Sequence, residues 1–75
     1  MEVPQAVKEK AKEFIDTFGE HFEKLGIYQD KQVYKFVFPQ GSRTGFPYVY
    51  LFDKQTKDCE VVTGIKALEI ITSVQ

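Results

Sequence analysis

Seventy-five residues with a net charge of -1 at pH 7, seven Phe and four Tyr among them, suit a single domain (1–75) near the lower size limit for a self-sufficient core. That charge balance exerts no global pull toward nucleic acid or acidic lipid, and the abundance of aromatic residues excludes a disordered tail. The lone cysteine, Cys59, rules out an internal disulfide framework.

The opening MEVPQAVKEKAKEF is too charged for a signal peptide, and no apolar run approaches membrane-spanning length. A cytoplasmic location with no membrane partner is therefore expected. In the same stretch Val3, Val7, Ala11, Phe14, Phe18, Phe22 and Leu25 step by three or four, with Ile15 widening the stripe. The spacing predicts one amphipathic helix from Pro4 to Leu25, stopped by Gly26. Gly19 is its weak point, costing roughly 1 kcal/mol against alanine, and Thr17 and Glu20 have the spacing of a capping box.

After the polar patch Gln29-Asp30-Lys31-Gln32, a strand runs from Val33 to Phe38 and ends at Pro39, which cannot donate to a ladder. The loop from Gly41 to Gly45 leads to a second strand, Tyr48 to Phe52. Asp53 to Asp58 has turn chemistry, and a third strand follows from Cys59 to Thr63. Gly64 punctuates, and Ile65 to Val74 reads as a short final helix with Ile65, Leu68, Ile70 and Ile71 apolar. The connections are too short for parallel crossovers. The expected fold is α+β, in the order α-β-β-β-α: a three-stranded antiparallel meander packed by a long N-terminal and a short C-terminal helix.

That sheet is apolar on both faces. A sheet wet on one side alternates apolar with polar residues, yet Tyr48, Tyr50 and Phe52 oppose Val49 and Leu51. Three arrangements answer this: helices on opposite faces, both helices on one face with a partner on the other, or one hydrated tyrosine-rich face. The second would bury enough apolar surface to drive association. On that reading the contact residues are Val33, Val37, Arg43, Tyr48, Tyr50 and Phe52, because aromatics and arginine most often anchor interfaces; Val49 and Leu51 are the alternative row.

Candidate chemistry is sparse. His21 is the single histidine, so no multi-histidine metal site exists within one chain. Cys59 would serve as a nucleophile only if His21 approached it. No cofactor is expected and no enzyme is implied. Gly41-Ser42-Arg43-Thr44-Gly45 offers donors to an anion but lacks the phosphate-binding pattern and precedes a strand, not a helix. Gly45, Phe46 and Pro47, followed by strand, turn, strand, glycine and helix, resemble the C-terminal half of thioredoxin-like domains. That resemblance implies a cis Phe46–Pro47 bond, but the chain has no Cys-x-x-C, so it implies no redox function.

The expected function is that of a non-enzymatic protein–protein interaction module, self-associating through its sheet as a homodimer or joining another protein. The alternative is a small-ligand or single-stranded nucleic-acid binding domain using the Gly41–Gly45 loop and nearby tyrosines; the absence of a basic stripe makes nucleic acid the weaker partner.

Overall fold

The computed structural model describes residues 3–38 and 47–74. Its elements are α1 (Gln5–Lys10), α2 (Lys12–Phe18), β1 (Phe22–Tyr28), β2 (Lys31–Phe36), β3 (Val49–Phe52), β4 (Cys59–Val62) and α3 (Ile65–Ser73). The strands form one antiparallel sheet in the order β1-β2-β3-β4. The α+β class and the antiparallel pairing agree with the sequence reading, but the sheet has four strands instead of three. None of the described helices is long and apolar enough to cross a membrane.

The expected helix from Pro4 to Leu25 is corrected at two places. At Ala11 the backbone leaves helical geometry (φ -102°, ψ 15°), so α1 and α2 meet at a bend. Hydrogen bonds still span it, from Ala11 N–H to the Val7 carbonyl at 3.1 Å and from Ile15 N–H to the Ala11 carbonyl at 2.9 Å. The helix then ends at Phe18, because Gly19 (φ 91°, ψ 176°) takes a conformation essentially restricted to glycine.

Beyond Gly19 the chain turns into β1 and pairs with β2. The pairing shifts between Lys24 and Gly26, which leaves Leu25 in a bulge. The extra residue places both Leu25 and Tyr28 on the α3 side, packed with Val33. Phe22 lies on the other side with Phe36. Phe22, Leu25 and Tyr28 thus carry a helical spacing while sitting in a strand.

A two-residue turn joins β1 to β2, with Gln29 (φ 50°) and Asp30 (φ 64°) both left-handed, as tight hairpins require. The β3–β4 turn closes through Asp53, whose side-chain Oδ1 accepts from the N–H of Gln55 at 2.9 Å and of Thr56 at 3.4 Å. Its backbone N–H donates to the Asp58 carbonyl at 2.9 Å. The turn is built by local side-chain bonds, as its composition indicates. Gly64 (φ 81°, ψ -153°) then swings the chain from β4 into α3; a Cβ there would meet no atom, so backbone conformation alone demands glycine.

Two apolar layers result. On one face α1 and α2 bring Val7, Ala11, Phe14 and Phe18 against Tyr34, Phe36, Tyr50 and Phe52. On the other, α3 brings Ala67 and Ile70 against Val33, Val49 and Leu51. Each face of the sheet is covered by a helix of the same chain. The interior strand β3 is buried at all four positions, which is why it shows no polar alternation: an antiparallel strand between two helical layers carries the continuous apolar run usual for buried parallel strands.

Candidate interaction surface

The reactive groups lie apart. The register pairs Phe22 with Phe36 at one end of the sheet and Cys59 with Phe52 at the other. His21 precedes Phe22, its carbonyl accepting from Val37 N–H at 2.7 Å, so imidazole and thiol occupy opposite ends. Burial pushes the Cys59 thiol up to about 11, against the opposing pull of Lys10. A thiol held protonated at neutral pH is a poor nucleophile.

Tyr50 is fully buried at 0% exposure, and its hydroxyl has no hydrogen-bond partner among the described residues. Burial first, with Cys59 and Tyr48 adding to it, pushes the phenol up to about 12. An orphaned buried hydroxyl costs roughly 1–3 kcal/mol. Tyr50→Phe is therefore expected to stabilise the fold by about 1 kcal/mol at neutral pH. The folded pKa lies above the unfolded value near 10, so stability from the neutral phenol is complete below pH 10 and is lost as pH rises toward 12. The advantage of the phenylalanine variant should widen across that window in urea titrations; a destabilised variant would show that the hydroxyl has a partner.

Asp53, Asp58 and Glu60 line a cleft of about 310 Å³ with Lys31, over Leu51 and Cys59. The Asp53 carboxylate is already engaged in the turn. Among the described residues no group of His, Cys, Asp and Glu is arranged to hold a metal ion.

The sequence-derived contact residues scatter. Val33 is buried beneath α3, whereas Tyr50 and Phe52 are buried beneath α1 and α2. Their side chains are spent inside the chain and lie on opposite faces, since Val33 pairs with Leu51 and Tyr34 with Tyr50. Tyr48 is partly buried, its ring 4.7 Å from Phe14 and 6.1 Å from Phe38. Val37 is 40% exposed. Arg43, the Gly41–Gly45 loop and the Phe46–Pro47 bond fall outside the described residues.

What the sheet leaves open is its edges. Among the described residues, large apolar side chains are exposed at both edges: Ile27 of β1 at 51%, Val37 at 40%, Val61 of β4 at 39%, and Ile65 and Leu68 of α3 at 69% and 44%. Val61 and Ile65 flank the Thr63–Gly64 connection, and Ile65 and Leu68 stand one turn apart on α3. The sequence names the α3 residues as apolar, but only the packing shows that Ala67 and Ile70 fill the inner face and leave Ile65 and Leu68 outside. No protein-family model matches the chain, and neither a curated protein nor a solved structure matches it.

Proposed function

We propose that this protein works by contact: a small, non-enzymatic interaction module of the cytoplasm that self-associates at the β4 side of its sheet, with Val61, Ile65 and Leu68 as the apolar contacts. Single exposed apolar residues are ordinary on any surface. The reading is carried by exposed apolar residues on both sides of the β4 edge: Val61, on the α1–α2 side because it pairs with Tyr50, at 39% exposure, and Ile65 and Leu68 of α3, which covers the other face, at 69% and 44%. With both sheet faces covered by the chain's own helices, the edge replaces the face as the part of the sheet open to a partner. The protonated Cys59 and its separation from His21 favour contact over catalysis.

Sedimentation equilibrium over a wide concentration range tests the proposal. The wild-type mass should climb from monomer toward dimer, and the double variant Ile65→Lys, Leu68→Lys should stay nearer the monomer. A wild-type protein monomeric at every concentration would contradict it.

A further inference from the structure

The two edges of the sheet are built differently. β1 presents Glu23 and Lys24 and is interrupted by the bulge at Leu25, devices that keep an edge from pairing. β4 reads Cys-Glu-Val-Val, without bulge, lysine or proline. Its free hydrogen-bonding groups follow from the alternation of antiparallel ladders. Asp53 N–H donates to the Asp58 carbonyl, so Leu51–Glu60 and Val49–Val62 are the hydrogen-bonded pairs. The backbone N–H and C=O of Cys59 and Val61 therefore point away from β3, toward the open edge among the described residues.

We infer that β4 pairs antiparallel with β4 of a second copy, with the twofold axis at Val61, to make one continuous sheet across the dimer; this rests on the self-association proposed above. Charge and strand length together select the register: an axis at Val62 opposes no like charges but sets Cys59 against Ile65, which already belongs to α3. An axis at Glu60 sets Glu60 opposite the same residue of the second copy, and an axis at Cys59 sets Asp58 opposite Glu60; like charges facing each other destabilise a ladder. With the axis at Val61, Val61 meets Val61, Cys59 meets Thr63, and Glu60 meets Val62, so no like charges oppose. In this register the outward groups of Cys59 and Val61 bond in pairs. A second copy is favoured over growth into a fibre because the pairing is isologous and leaves only the two blunted β1 edges free, so assembly closes at two.

Proline at an edge position whose N–H faces away from the sheet leaves the existing ladder intact. Val61→Pro should keep the far-UV circular dichroism and cooperative melting of the wild type while the dimer dissociation constant rises about tenfold or more, a loss of about 1.4 kcal/mol. Val61→Lys, an edge-protecting charge that spares the backbone, should also weaken the dimer and serves if the proline variant fails to fold. A dimer that survives both Val61 variants but is lost in Ile65→Lys, Leu68→Lys would overturn the strand pairing and leave the broader self-association standing. A wild-type monomer at all concentrations would overturn both.

Discussion

Ile70→Ala is expected to cost about 2–5 kcal/mol, the range for removing a large aliphatic side chain from a closed core. Ile70 has 0% exposure and packs with Val33, Val49, Leu51 and Ala67 between α3 and the sheet. Helix α3 has only nine residues and no side-chain N-cap, so its stability comes from this contact and not from its own propensity. Losing the contact therefore loosens the whole layer. Total stability for a domain is about 5–15 kcal/mol, with small ones at the low end, so the variant should sit near the edge of folding. Urea titration measures this as a lower midpoint. Leu68→Ala on the outer side of the same helix should shift stability by no more than about 0.5 kcal/mol. Equal effects at the two positions would mean that α3 is not seated as described.

Phe36→Ala should cost still more, about 3–5 kcal/mol. Phe36 ties two other pieces of chain to its own: its ring lies 5.4 Å from Phe14 of α2, 5.2 Å from Phe22 of β1 and 5.0 Å from Phe38 just beyond β2. The pair with Phe22 is edge-to-face at 88° and that with Phe38 at 62°, geometries that add about 0.5–1.5 kcal/mol per pair beyond burial. Removing the ring unstitches α2 and β1 from the sheet together. Near-ultraviolet circular dichroism should lose its fine signal at temperatures where the wild type keeps it. An unchanged signal with a stability loss below about 1 kcal/mol would contradict the aromatic cluster.

Both variants probe features that the sequence discloses unevenly. Strands β3 and β4 and helix α3 are legible because the Asp53–Asp58 turn and Gly64 punctuate apolar runs of the right length, whereas β2 runs from Lys31 to Phe36, two residues earlier at each end than the expected Val33 to Phe38. The two-sided apolar character of Tyr48 to Phe52 is legible too, and its physical consequence, cover on both faces, is what the helices supply. Strand β1 is not legible, since Phe22, Leu25 and Tyr28 repeat every third residue and extend the N-terminal stripe. Only the bulge reconciles that spacing with a period of two, and a bulge is set by pairing with β2. Gly19 does signal the break, but helices often tolerate a glycine, and its conformation depends on where the chain must go next.

The surface is less legible in the sequence. Val33, Tyr50 and Phe52 have the composition of an interface anchor, and so does any core strand. Once the N-terminal segment supplies both a helical layer and a fourth strand, those side chains are enclosed. What separates the inner from the outer apolar residues of α3 is the seating of Ala67, small enough to let the helix approach the sheet. Its alanine gives no strong signal in the sequence, whereas Ile65 and Leu68, which do, face outward.

Methyl and aromatic nuclear Overhauser contacts in the monomer give the most direct test of a sheet clad on both sides by its own chain. The Ile70 methyls should contact Val33 and Val49, while the Val7 methyls contact the Tyr50 and Phe52 rings, with no exchange of partners between the sets. Contacts from Ile70 to Tyr50 or Phe52, or none from either helix to the sheet, would contradict the fold described and the edge-centred account of its function.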